Sequence, residues 1–256
     1  MILFDQIIFG PVKSRRLGVS LGVNLLPVDA KICSFDCIYC ECGFNTTMKE
    51  SPLPTRPQVY ETLEAKLKEM VAANELPDVI TFAGNGEPTL HPQFEGIIDD
   101  TIALRDRYCP SAKVSVLSNS TRMHKSNIFN ALLKVDNNIL KFDSAFDSTL
   151  QLLDRPVGKH ITVAWQIEQF KKFNGNLIIQ TMFLRGNVNG QIIDNTTDSE
   201  VDAWINALKI IHPKQVMIYT IDRETPTKGL EKISLEELNK IAEKVKASGF
   251  DVSVAG

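Results

Sequence analysis

Cys33-Ser34-Phe35-Asp36-Cys37-Ile38-Tyr39-Cys40 is the stretch that decides how this 256-residue chain is read. Three cysteines at spacings of four and three gather their thiols in one short loop, where local turns alone set both separations. Cys42 follows two residues later, and Cys109 stands apart. A structural zinc site takes four thiolate or imidazole donors, often as two separated pairs. A cubane iron–sulfur cluster is ordinarily held by about four thiolates. No second pair follows at zinc-finger distance, and His91, His124, His160 and His212 are scattered without an H-x(3–5)-H element. The spacing favours an iron–sulfur cluster, with a zinc site or plainly reduced thiols as the alternatives.

The rest of the composition bounds the classes. Apolar residues make up 43% of the chain, and the net charge is −3. That length suits one sizeable domain or two small ones. The charge excludes a global basic field for nucleic acid, though a local patch remains open. The N-terminal Met1–Gly10 run is apolar but short, carries Asp5 and lacks a basic lead-in, so it reads as core or strand. No apolar run reaches membrane-span length. Five cysteines, four of them bunched, do not form a disulfide framework. The expectation is a reduced, cytoplasmic protein with no membrane partner.

Outward from the cysteine loop, residues 1–28 read as an extension and a first strand, with a basic knot at Lys13, Arg15 and Arg16. Residues 29–56 hold the loop and a polar connector. From 57 onward helical and strand patterns alternate. Thr55 and Gln58 make a capping box for a helix whose face is Val59, Leu63, Leu67 and Met70. Further helix faces carry Phe94, Ile97, Ile98 and Ile102; Ile128, Leu132 and Val135; and Val163, Ile167 and Phe170. Ser199 and Asp202 read as the N-terminus of a helix through Trp204, Leu208 and Ile211, and Ser234 with Glu237 as a second capping box. Strands are expected at 79–83, 113–117, 139–142, 177–184, 215–219 and 251–254. Units of thirty to forty residues with doubly buried strands predict βα repeats around a parallel sheet. Ligands then gather at the C-terminal strand ends.

Polar residues recur at those ends: Gly84-Asn85-Gly86-Glu87 after the strand at 79, Ser118-Asn119 after the next, then Asp143-Ser144, then Arg185. Two glycines free the backbone for a sharp turn, Glu87 offers a carboxylate to an ammonium group, and Arg185 offers a cation to a carboxylate. Each stretch alone also reads as an ordinary turn. A Gly-x-Gly-x-x-Gly dinucleotide fingerprint is absent.

Taken together, Cys33-x-x-x-Cys37-x-aromatic-Cys40 and the strand ending in Gly84-Asn-Gly-Glu-Pro88 resemble the radical S-adenosylmethionine (SAM) superfamily. Phe9-Gly-Pro-Val-Lys-Ser-Arg-Arg-Leu-Gly18 and the cysteine loop are similar to its wybutosine-synthesis-like group of iron–sulfur oxidoreductases. The likeness covers the first ninety residues, and only the βα rhythm extends it. It implies an α/β fold, a partial (β/α)6 TIM-like barrel with outer helices, as a single domain over 1–256. It implies a [4Fe–4S] cluster on Cys33, Cys37 and Cys40, with the fourth iron open to SAM. By the same resemblance, Tyr39 lies beside the adenine, Gly84, Gly86 and Glu87 receive the methionine ammonium, Ser118 and Asn119 contact the ribose, and Arg185 meets the carboxylate. The implied chemistry is reductive cleavage of SAM and hydrogen abstraction from an RNA base, a peptide or a small metabolite, fed by an external flavodoxin- or ferredoxin-type electron donor. The chain departs from the family in reading Gly-Asn-Gly-Glu for the commoner Gly-Gly-Glu. It also lacks a second cysteine cluster and the glycine-bearing motif on the fifth strand. Cys42 is expected to have no ligand role.

Overall fold

Short runs rich in Val, Ile and Leu, each followed by an amphipathic helix, leave the strands no solvated face and draw them into one parallel sheet. The computed structural model describes residues 2–14, 17–46 and 50–256. Its elements run β1 (Ile8–Ser14), β2 (Gly18–Val23), α1 (Arg56–Ala73), β3 (Val79–Phe82), α2 (Phe94–Tyr108), β4 (Lys113–Ser118), α3 (Ser126–Lys134), β5 (Asn137–Lys141), α4 (Asp147–Leu153) and α5 (Val163–Lys171). There follow β6 (Ile178–Met182), β7 (Leu184–Val188), β8 (Gln191–Asp194), α6 (Asp198–Ile211), β9 (Gln215–Tyr219), β10 (Leu230–Lys232), α7 (Leu235–Ala247) and β11 (Val252–Ala255).

The main sheet has the order β1-β2-β3-β4-β5-β6-β9-β11 and curls into an open half-barrel. From β2 to β11 every neighbouring pair is parallel. β1 alone is antiparallel, folded back on β2. The partial barrel of six βα units is therefore present as β2, β3, β4, β5, β6 and β9, extended by β11. All residues of β3 and β6 are buried, as two-sided coverage requires. Val59, Leu63, Leu67 and Met70 form the buried stripe of α1, and its Thr55–Gln58 capping box is closed on both sides. The Ser234–Glu237 box caps α7 in the same way.

Three readings change. The apolar run at 177–184 is two strands, because Asn195 turns the chain between them. Its Oδ1 accepts from Leu184 N at 2.9 Å, and its Nδ2 donates to Met182 O and Asp143 O. β7 leaves the barrel to form a three-stranded antiparallel ribbon in the order β10-β7-β8. The N-cap of α6 is Thr197, two residues before Ser199. Glu200 is drawn into the first turn because its carboxylate accepts from Ser144 Oγ and Thr149 Oγ1. The seven-residue α4 is an element that the periodicity did not separate. Lys13 lies on β1, whereas Arg15 and Arg16 fall outside the described residues. No described helix is long and apolar enough to cross a membrane.

Candidate active site

The cysteine loop leaves the C-terminal end of β2 and is pinned to the turn after β3 by backbone. Ile32 N donates to Asn85 O at 2.9 Å, and Glu87 N donates to Ile32 O at 3.1 Å. The approach is so close that a Cβ on Gly86 would lie 1.9 Å from Ile32 O. Gly86 has φ +128° and Gly84 has φ +151°, conformations that L side chains rarely adopt. Asn85, wholly buried, binds the N-terminal segment through Phe4 N and Phe4 O, and reaches Pro27 O. The residue that interrupts the glycine pair thus straps the chain's start across the loop.

The strand ends and the loop enclose a cavity of about 250 Å3. Cys33, Cys37, Cys40, Tyr39, Gly84, Gly86, Glu87, Ser118 and Asn119 all line it. Of the site residues expected from sequence, Arg185 alone is elsewhere. It is on β7 in the ribbon, where its guanidinium meets Glu237 at 2.5 Å and Asp194 at 3.7 Å. Its displacement follows from the strand break at Asn195.

Glu87 is buried, and burial pushes its carboxyl up from the ordinary value, opposed by hydrogen bonds. Its Oε1 accepts from Thr89 N, Thr89 Oγ1 and Ser118 Oγ, whereas among the described residues Oε2 accepts only from Asn119 N at 2.6 Å. A carboxylate oxygen takes more than one donor, so Oε2 keeps capacity for a cation. Asn119 also donates through Nδ2 to Cys33 Sγ at 3.3 Å and to Ser34 Oγ at 2.9 Å. The expected ribose contacts therefore join the β3 turn to the cysteine loop.

The thiols differ electrostatically. Burial raises Cys33 to about 12 and carries Cys37 well above its ordinary value. Cys40 falls to about 6, chiefly through a hydrogen bond from the Cys42 thiol and further through Lys31. The same bond raises Cys42, whose sulfur also lies 3.4 Å from Gly84 O. Lys31 is almost fully buried, donates to Gly43 O at 2.8 Å and pairs with Asp36 at 3.6 Å. A buried cation needs negative neighbours, and bound thiolates supply them. Donors on Cys33 sulfur, from Asn119 and from Phe35 N at 3.5 Å, are of the kind that stabilise cluster thiolates. Among the described residues no three His, Cys, Asp or Glu side chains close around one metal ion. A site with one iron per sulfur asks instead for three thiolates spread around a cavity, and the donor set fits a [4Fe–4S] cluster.

Against the cysteine loop, in the same cavity, stands a group that the sequence reading missed. Lys141, at the end of β5, lies 3.3 Å from Asp143 and 3.2 Å from the Tyr219 hydroxyl, and over the Tyr39 ring at 4.9 Å. Burial opposes its charge, but Asp143, Tyr219 and Asp154 hold its pKa well above the usual lysine value. The Tyr39 hydroxyl is hydrogen-bonded to Asp143 and lies 2.8 Å from Asp154 Oδ1, which also accepts from Cys37 Sγ at 3.3 Å. Burial, with Asp143 beside it, carries Asp154 well above the carboxylate range. A lysine inside the otherwise apolar stretch Ile139–Phe142 was the available signal, since a buried lysine demands paired charge. Asp154 gave none, being brought in from the end of α4.

Comparison with known proteins agrees with this architecture. A relative described as GTPase Obg, from Brachyspira hyodysenteriae, is 32% identical over 91% of this chain, but the chain spans only 32% of that protein's length. A UPF0026 protein of Methanocaldococcus jannaschii is 30% identical over 92% of this chain and 70% of its own. A solved structure of TYW1 with a lysine–pyruvate adduct bound shares the fold at a TM-score of 0.61 and 14% identity, over 89% of this chain and 73% of that one. The Radical SAM superfamily model matches residues 28–198, from the start of the cysteine loop to the first residue of α6. With that match over two thirds of its length, this chain belongs to the radical SAM superfamily.

Proposed function

We propose that the chain is a radical SAM enzyme whose cluster is held by Cys33, Cys37 and Cys40. The observation that carries this reading is the convergence of all three cysteines, Gly84, Gly86, Glu87, Ser118 and Asn119 on one cavity at the strand ends. When bound, the reduced cluster and SAM together supply a 5′-deoxyadenosyl radical that removes hydrogen from an unactivated C–H bond. The protein supplies aim and exclusion of water. Three thiolates leave one iron for the amino and carboxylate groups of SAM. Glu87 Oε2 would accept from the N–H groups of that amine, and Ser118 and Asn119 hold the Glu87 carboxylate in place. Tyr39 stays beside the adenine while its hydroxyl remains tied to Asp143 and Asp154. Lys141 balances those acids within the cavity.

A second cavity, of about 400 Å3, shares Glu41, Gly84 and Leu117 with the first. The stacked rings of Phe4 and Phe9, 3.8 Å apart, line it together with Lys13 and Arg223. We assign the substrate to this space. Glu41, paired with Arg223 at 2.9 Å, and Asp222 balance those cations in the lining, so the stacked rings favour a planar group with polar edges, as an RNA base would present.

Anaerobic reconstitution should give a brown protein with about four irons per chain, an EPR signal that changes on adding SAM, and 5′-deoxyadenosine under reduction. Cys37→Ala should lose the iron, and Cys42→Ala should keep it. One zinc per chain, or no response of the EPR signal to SAM, overturns the reading. Iron loss in Cys42→Ala overturns the assignment of Cys42 as a bystander.

A further inference from the structure

The cysteine loop has an outer side as well as an inner one. Ser34 does not line the active-site cavity but opens on a different one, of about 330 Å3, with Arg122, Lys125, Val157 and His160. We propose that the basic face made by Arg122, Lys125, Arg155 and Lys159 around this opening is the docking surface for an acidic one-electron carrier protein of the flavodoxin type. The inference rests on the cysteine loop being a cluster site.

Charge is the first argument. The chain has 31 Asp and Glu residues, yet none occurs from 107 to 135 or from 155 to 167, the two segments that meet here. Other basic side chains are paired with carboxylates, among them Lys134 with Asp99 and Glu95 and Lys244 with Asp198 and Asp202. None of the four on this face pairs with a carboxylate among the described residues. Arg122 Nε is buried without a hydrogen-bond partner. On a chain of net charge −3, a local unpaired basic face attracts an acidic protein without attracting polyanions everywhere.

The face also has an apolar centre. Val157 is 70% exposed, and Phe44 is exposed beneath the Arg155 guanidinium, 5.7 Å from its ring. The rings of His124, His160 and Trp165 meet edge to face at about 6 Å beside it. Apolar centre and charged rim describe a small, transient interface of the kind electron carriers use.

Proximity to the cysteines completes the argument. Val157 N donates to Ser34 O at 3.0 Å, Asp36 N to Arg155 O at 3.2 Å, and Ile38 N to Leu153 O at 2.9 Å. The docking segment is therefore hydrogen-bonded directly to the backbone between Cys33 and Cys40. One electron leaves the reduced flavin of the carrier, which is oxidised by one electron, and enters the group held by the cysteines. No bond forms or breaks in that step.

The test uses the reconstituted enzyme and an acidic flavodoxin. Titration of oxidised flavodoxin should give a Kd that weakens as salt rises, and Lys125→Glu/Lys159→Glu should weaken it roughly ten-fold or more at low ionic strength. Lys246→Glu, on α7, should leave it unchanged. Flavodoxin-driven reduction should slow in parallel, while 5′-deoxyadenosine formation driven by dithionite stays at the wild-type rate. An unchanged Kd in the double variant overturns the proposal. So does retained flavodoxin binding together with lost binding of transfer RNA, which would make the face an RNA surface. Absence of dithionite-driven SAM cleavage in the wild type would instead overturn the proposed function, leaving the flavodoxin Kd as a separate readout.

Discussion

Gly86 shows how much one missing side chain decides. Its Cβ would overlap the Ile32 carbonyl oxygen at 1.9 Å, and the atom in the way is backbone, which cannot swing aside. Gly86→Ala should cost about 1–3 kcal/mol by forcing the loop off the turn, and iron content after reconstitution should fall with it. Gly190→Ala separates clash from strain. Gly190 has φ +85° with nothing within 4 Å of its would-be Cβ, so that variant should lose only about 1–2 kcal/mol and keep its iron. Equal iron in both variants would show that loop docking does not depend on the close approach. At this scale the cysteines, Glu87 and the two glycines were legible, because their chemistry is local. Lys141 and Asp154 were not assigned, because their partners come from other strands and helices.

Helix starts were legible wherever the cap is self-contained. The Thr55–Gln58 and Ser234–Glu237 boxes close within four residues, and both form as read. The start of α6 was misplaced because Thr196-Thr197-Asp198-Ser199 offers several caps, and Glu200, bound to Ser144 and Thr149, chooses among them. Ser234→Ala should destabilise the protein by about 1 kcal/mol in denaturant melts. Glu237→Ala should cost more, since the Glu237 carboxylate caps α7 and also ties Arg185 of the ribbon to that helix. Equal effects would mean that the ribbon is not anchored through α7. The split of 177–184 into β6 and β7 belongs here as well. The run holds no turn residue before Arg185, its polar Gln180 and Thr181 lie inside β6, and only Asn195 marks the break.

Over the whole molecule, the connector returning from the cysteine loop is fastened to the barrel by a buried histidine. His91 Nδ1 accepts from Gln93 N at 3.1 Å, so its Nε2 donates to Pro54 O at 2.8 Å. Protonation would set a second N–H against that of Gln93, and burial depresses the pKa below 6.5. The unfolded chain takes up the proton first as pH falls. The stabilising contribution is complete above pH 6.5 and is lost as pH drops from there through the lower folded value. Stability measured by urea melts should decline across that window with a slope of up to about 1.4 kcal/mol per pH unit. His91→Gln should abolish that part of the slope. An unchanged slope in the variant would assign the acid sensitivity to other groups.

The division between sequence and tertiary structure follows the range of the forces. The amino-acid order by itself determined the βα alternation, the self-contained caps, the three-cysteine loop and the glycine turn, because periodicity, capping and ligand spacing act within a few residues. It also carried the family, through motifs confined to the first ninety positions. Tertiary structure decided where the apolar run at 177 breaks, which Ser/Thr caps α6, that Arg185 belongs to the ribbon, and that Lys141, Asp143, Asp154 and Tyr39 form one buried charge network. Each of those outcomes depends on a hydrogen bond or ion pair between distant segments, and buried polar groups must be satisfied by whatever the fold brings to them.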